Sequence, residues 1–344
     1  MKAAVLFKTK SNLKIIDNLE LPILKRGQVL VKIIYTSLCR SQIMEIEGKR
    51  GKDKFLPHCL GHEASAKIMK VGKGVKKVKV SDFVVLTWIK CKGIDVKNTS
   101  YKYNNKQINA GSVTTFSTYS IVSENRVVKL PKNLNKKYAT LFGCAVPTGC
   151  GLVSNQIKYK YNKSIIIIGM GGIGIFSLIA ARYYKFKKIT VIDIDNKKLK
   201  YAKNLGAEYT LNFKDKSLIS KIKNITNDLY FDYAIDTSGN IKAIEMSLKF
   251  IKNEGTVIFA SHPEKNKKIK IDPFELIKGK KIFGSWGGGS NPDRDINIFN
   301  NIIRKSNFNF KKYFSKEYSL NEINLAISDF NKGKVLRPII NMRL

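Results

Sequence analysis

Cysteine, histidine and acidic side chains are all scarce in this chain. It has five cysteines, three histidines, and 26 Asp+Glu against 63 Lys+Arg. The cysteines are too sparse and odd in number for a disulfide scaffold; in a cytosolic chain a Cys/His set points instead to metal binding or catalysis. No apolar run approaches the roughly 20 residues that a membrane span needs. The apolar stretch within residues 1–7 is too short for a signal peptide, so a cytoplasmic location is expected. The acid deficit leaves a net charge of +37, which raises the question of a polyanionic partner. The lysines are scattered, there is no arginine-rich arm, and the aromatics sit inside apolar runs. No membrane and no specific nucleic-acid partner are expected, only salt-sensitive adsorption. With 344 residues, 43% of them hydrophobic, the chain can bury a sizeable core and suggests two domains.

What is present centres on Ile165-Ile166-Ile167-Ile168-Gly169-Met170-Gly171-Gly172-Ile173-Gly174. Four β-branched residues followed by glycines at G-x-G-x-x-G spacing read as a buried parallel strand turning into a helix, with room for a pyrophosphate at the turn. The next apolar run ends in Asp193, nineteen residues beyond Gly174, where such a fold places the carboxylate that accepts from the adenosine ribose hydroxyls. A nicotinamide-type cofactor follows as the leading expectation. Around the motif, apolar runs at 165–168, 189–192, 209–211, 231–235, 257–260 and 282–283 alternate with helical stretches at 173–184, 197–205 and 241–250. That alternation predicts an α/β fold, with a six-stranded, doubly wound parallel Rossmann sheet over residues 148–287. Residues 1–147 instead carry short strand-like runs at 3–7, 29–35, 65–71, 83–88, 114–122 and 126–130, separated by turn residues. They read as an irregular all-β domain. The tail, 288–344, shows helical periodicity near 296–305 and 320–331 and a strand-like end at 337–342. Being too short for its own core, it is expected to fold back on the N-terminal domain.

Three short motifs carry soft or borderline metal ligands: Leu38-Cys39-Arg40-Ser41-Gln42, Gly61-His62-Glu63 and Gly143-Cys144-Ala145. A lone cysteine is ordinarily a small buried hydrophobe. Two thiolates and an imidazole together are the ligand set of a catalytic zinc with an open fourth position. These motifs, followed in order by the glycine turn, Asp193 and Gly333-Lys334-x-x-Arg337, resemble the zinc-containing alcohol dehydrogenases of the medium-chain dehydrogenase/reductase superfamily. The resemblance also covers Gly72-Lys73-Gly74-Val75, Ser81-Asp82 and the run 143–149.

The resemblance implies a GroES-like catalytic domain built from 1–147 and 288–344. It implies Cys39, His62 and Cys144 as zinc ligands and Glu63 as a carboxylate near the metal. Ser41 matches the hydroxyl that takes the alcohol's proton, Arg40 and Arg337 the cationic partners of the pyrophosphate, and Thr148 a side chain near the nicotinamide. Gly169, Gly171, Gly172, Ile173, Gly174 and Asp193 correspond to the cofactor cradle, and Trp88 and Phe116 to aromatic walls of the substrate pocket. Further implications are NAD as cofactor, a small alcohol or carbonyl substrate, and a homodimer or homotetramer. In such an enzyme zinc lowers the pKa of a bound alcohol, and the rate gain comes mainly from holding the reacting carbons in line.

The chain also departs from that pattern. Many relatives hold a structural zinc with four close cysteines, but residues 89–109 contain only Cys91, so one catalytic zinc and no structural zinc are expected. An insertion at 93–103 replaces the lobe. Gln42 stands where the family usually has aspartate, and can accept a hydrogen bond only without charge. Met44 occupies the place of a proton-relaying histidine in some relatives. Cys59 and Cys150 read as packing residues, His58 as a structural residue with a loop or pocket-rim role as the alternative, and His262 as a backbone contact beneath the nicotinamide. The sequence thus favours an NAD-dependent alcohol oxidoreductase. A zinc-independent quinone-reductase-like enzyme and a basic nucleic-acid-binding protein on a dehydrogenase scaffold are the alternatives.

Overall fold

The computed structural model describes residues 1–157, 162–306, 308–314 and 316–344. They form two compact units, one of Met1–Cys144, Asn291–Asn297 and Asn309–Leu344, the other of Ala145–Ser290 and Ile298–Phe308. The tail is therefore divided, where the sequence suggested a single return to the first domain. Residues 298–308 join the second unit because Phe308 packs on Phe176 with ring centroids 5.5 Å apart and the Lys305 ammonium lies over the Tyr183 ring.

The first unit contains two sheets. In the larger, the ten-residue strand Gln28–Ser37 pairs antiparallel with Glu63–Val71, Tyr119–Ser123 and the C-terminal Ile339–Asn341. Phe83–Thr87 and Val127–Lys129 extend one side, and Glu317–Tyr318 the other. Val29, Val31 and Ile33 alternate inward against Ala64, Ala66, Ile68, Val84 and Leu86, giving the period-two burial that defines a half-covered sheet. The expected strand at 114–122 is shorter, Tyr119–Ser123. Its first residues leave the ladder because the Thr115 and Phe116 amides both donate to the Leu60 carbonyl at 3.0 Å. The smaller sheet runs in the order Lys14–Ile16, Ala3–Leu6, His58–Cys59, Lys106–Asn109, Ser100–Tyr103. Part of the insertion thus becomes a hairpin, turned by Asn104 and Asn105 at φ 47° and 60°, a conformation asparagine tolerates well.

The second unit is a six-stranded parallel sheet in the order Tyr209–Asn212, Lys187–Asp193, Ser164–Ile168, Phe231–Asp236, Ile251–Phe259, Lys281–Gly284. Its first strand in sequence lies between the second and fourth, so the winding reverses at Ser164–Ile168. Such a switch point is where a doubly wound sheet binds ligands. Ile165 to Ile168 are at most 2% exposed, which explains an unbroken β-branched run instead of an alternating one. Among the described residues no helix is long and apolar enough to cross a membrane.

Asp236 ends the neighbouring strand with its side chain fully buried. Burial pushes its carboxyl up to about 6, against hydrogen bonds from the Ser238 hydroxyl and the Ser238 and Gly239 amides. The folded state therefore keeps this proton to higher pH than the unfolded chain does. Its contribution to stability falls by about 3 kcal/mol as pH rises from about 4 to about 6. In urea unfolding across that range, Asp236→Asn is expected to gain on the wild type by this amount; parallel pH curves would contradict the assignment.

Candidate active site

The side chains expected to ligate a metal all lie in the first unit. Leu38 is anchored in an apolar cluster with Ile43, Leu60 and Phe116, and Cys39 follows it in extended backbone before the helix Arg40–Ile46. His62 immediately precedes the strand Glu63–Val71. Cys144 follows the short helical turn Thr140–Gly143, whose Gly143 carbonyl accepts from the Thr87 hydroxyl at 2.9 Å. Only glycine fits at 143: a Cβ there would stand 2.3 Å from the Leu86 carbonyl oxygen and 2.7 Å from the Glu63 Cβ. That close approach carries Cys144 against the start of the Glu63 strand. The ligand atoms of Cys39, His62 and Cys144 come within 4.8 Å of one another.

The polar atoms of this group fit a metal ion and an oxygen ligand. His62 Nδ1 is engaged by Gln42, and its buried Nε2 has no hydrogen-bond partner. The Ser41 hydroxyl is likewise buried without one. Between the thiols, the hydrogen bond with Cys144 holds Cys39 well below the ordinary thiol range despite burial, and the same bond, with burial, pushes Cys144 up. That sharing favours the thiolate form at Cys39, the state a metal requires. Elsewhere burial alone pushes Cys59 up to about 12 and raises Cys150, which keeps both as inert thiols. His58 is buried on a strand, its Nε2 2.8 Å from Asp53 and its Nδ1 3.0 Å from the Cys59 carbonyl oxygen. It is a paired structural residue, as its neighbours in sequence suggested.

Arg337 and Phe116 are both deeply buried. Arg337 is 4% exposed, and its guanidinium pairs with the Glu63 carboxylate and lies 3.4 Å from the Ser37 hydroxyl. Burial works to lower its pKa, but the charges of Glu63 and Cys39 outweigh it, and the arginine stays charged. Glu63 is fully buried; burial raises its carboxyl, Arg337 pulls against that shift, and its Oε2 has no hydrogen-bond partner. Phe116 is fully buried in the cluster that anchors Leu38, with no face open as a pocket wall. Trp88 is half-buried and Arg40 exposed, its guanidinium 2.7 Å from Asn331. Ser37 joins the site through its hydroxyl to Glu63; nothing in the sequence marked it, since only strand register brings it there.

In the second unit, Gly169 has φ +91°, and Gly171 precedes the helix Gly172–Tyr183 with no side-chain cap. A Cβ on Gly171 would meet nothing within 4 Å, whereas one on Gly174 would stand 1.9 Å from the Gly169 carbonyl oxygen. The turn is thus tight inside and open outside, where helix-end amides and the dipole favour a phosphate. Asp193 Oδ2 accepts from the Met170 amide at 2.7 Å and Oδ1 from the Asp195 amide at 2.9 Å. Each oxygen retains a lone pair for a further donor. Thr148 lies buried on the helix Ala145–Gly151, and the His262 ring meets the edge of Trp286.

Two thiols and an imidazole with an unpartnered nitrogen, in a chain that also carries a dinucleotide-binding sheet, define the class of zinc-dependent dehydrogenases. Residues 25–132 match the family model of the alcohol dehydrogenase GroES-like domain, and residues 172–303 that of the zinc-binding dehydrogenase. The S-(hydroxymethyl)glutathione dehydrogenase of Escherichia coli is 26% identical over 368 residues, covering 98% of this chain and 99% of its own. That of Synechocystis is 26% identical over 369 residues, covering 99% of each. The crystal structure of benzyl alcohol dehydrogenase from Acinetobacter calcoaceticus superposes with a TM-score of 0.88 at 26% identity, covering 99% of this chain and 98% of that one. The chain belongs to the zinc-type medium-chain alcohol dehydrogenases, and it is an oxidoreductase of that family.

The buried arginine needs its counter-charge. Glu63→Gln is expected to cost about 3 kcal/mol in urea unfolding, because it leaves Arg337 charged and unpaired. Adding Arg337→Leu is expected to restore part of the loss; a single-variant loss below about 1 kcal/mol would show that the pair contributes little.

Proposed function

We propose that this protein interconverts an alcohol and an aldehyde or ketone with NAD as hydride carrier. The observation that carries the reading is the convergence of Cys39, His62 and Cys144 within 4.8 Å, with His62 Nε2 and the Ser41 hydroxyl buried and unpartnered. A zinc ion held there supplies Lewis acidity to the substrate oxygen. The Ser41 hydroxyl would accept the alcohol's proton while releasing its own to solvent water, so that it relays the proton without holding a charge. Glu63 holds negative charge behind the ligands, and Arg337 keeps that charge from repelling the thiolates outright. One zinc per chain follows, since Cys91 has no cysteine neighbours in sequence within its segment.

Residues Gly169, Gly171, Gly172, Ile173 and Gly174 hold the pyrophosphate through backbone amides, with Arg40 as the exposed cation, and Thr148 packs near the nicotinamide. Asp193 accepts from the adenosine ribose hydroxyls and repels a 2′-phosphate, which favours NAD over NADP; Lys197 and Lys198 work against that preference. Trp88 contributes an apolar wall for the substrate. The curated relatives make S-(hydroxymethyl)glutathione a first substrate to try, and the structural relative adds benzyl alcohol. A homodimer or homotetramer in the cytoplasm is the proposed state; the edge strand Lys281–Gly284, with Phe283 and Trp286 exposed, supports pairing with a second copy.

A turnover screen of alcohols and carbonyl compounds with both nicotinamide cofactors, run beside metal analysis of chelator-free protein, tests the reading. About one zinc per chain and NAD-linked turnover abolished by Cys39→Ser with Cys144→Ser are expected. Retained turnover in that double variant would favour a metal-independent enzyme, and absence of both zinc and NAD binding would overturn the proposal.

A further inference from the structure

We propose that Gln42 weakens the metal site's hold on its ion, acting as a positioning residue through His62. The inference rests on the reading of Cys39, His62 and Cys144 as zinc ligands. Gln42 is 2% exposed, in the first turn of the helix Arg40–Ile46. Its Oε1 accepts from the Cys39 backbone amide at 2.8 Å. That amide can only donate, so the side-chain oxygen's place is set by it. The other end of the amide, the NH2 group, meets His62 Nδ1.

An NH2 group also only donates, so Nδ1 must be the unprotonated ring nitrogen in this arrangement. The ring proton then falls on Nε2, the buried nitrogen left for the metal, and a protonated nitrogen cannot ligate. The metal-binding tautomer carries its proton on Nδ1 and needs an acceptor there. Turning the amide over supplies one, but brings the NH2 group onto the Cys39 amide. Neither orientation serves both donors, because the side chain has one acceptor oxygen and the site presents two N–H groups. A carboxylate of the same length has two.

The test is zinc affinity, measured by competition with a chelator of known strength, in wild type, Gln42→Glu, Gln42→Leu and Cys39→Ser. Gln42→Glu is expected to bind zinc about 10- to 100-fold more tightly than wild type, the range outer ligand partners command, and Gln42→Leu no more tightly than wild type. An unchanged or weaker affinity in a folded Gln42→Glu protein would overturn the inference, as would an equal gain in Gln42→Leu. Should Gln42→Glu not fold, hydrogen exchange of the Cys39 amide in wild type decides: faster exchange on zinc loading supports the amide's turning, and unchanged exchange overturns it. Zinc affinity left unchanged in Cys39→Ser would overturn the ligand assignment itself, a result distinct from a null effect at Gln42.

Discussion

The buried ion pair between Glu63 and Arg337 is the constraint on which the metal site depends. Two charges with almost no exposure are costly to bury, and they persist only because each satisfies the other and Ser37 adds a hydrogen bond. The pair ties the strand that follows His62 to the last strand of the chain. Ile339 stands opposite Ser37 in the sheet, so Arg337 enters two residues earlier, already at the depth of the carboxylate. A charge of each sign behind the ligands lets a thiolate form at Cys39 without a second uncompensated anion nearby.

Around that pair, segments distant in sequence converge through backbone geometry. Leu38 is locked by apolar packing, Gly143 gives up its side chain so that the chain can lie against Glu63, and the helix after Cys39 turns Gln42 back over the ligands. The second unit performs a separate task by simpler means. Its sheet reverses direction at Ser164–Ile168, the glycines tighten the turn that follows, and Asp193 closes over the turn through the Met170 amide. Here the specificity comes from absent side chains, and in the first unit from buried charge.

Much of this was legible beforehand, for physical reasons. The six parallel strands announce themselves because strands covered on both faces are continuous apolar runs, and Cys39, His62 and Cys144 because soft ligands are rare in a lysine-rich chain. Other features depend on pairings across the fold. The pairing of Arg337 with Glu63 is invisible in the sequence, because only the register of the last strand brings the two together. Phe116 sits in a motif-like run, yet the two amides drawn to Leu60 turn it into the core. The conflict at Gln42 needs the Cys39 amide as a third party, which no residue pattern records. The division of the tail turns on Phe308, one aromatic among many in the sequence until it meets Phe176.

The most direct test of the central claim is X-ray absorption at the zinc edge on protein purified without chelator. The account predicts a first shell of two sulfur donors and one imidazole nitrogen, completed by a lighter oxygen donor, with one sulfur lost in Cys39→Ser. A shell of four sulfurs, or one of nitrogen and oxygen alone, would contradict it.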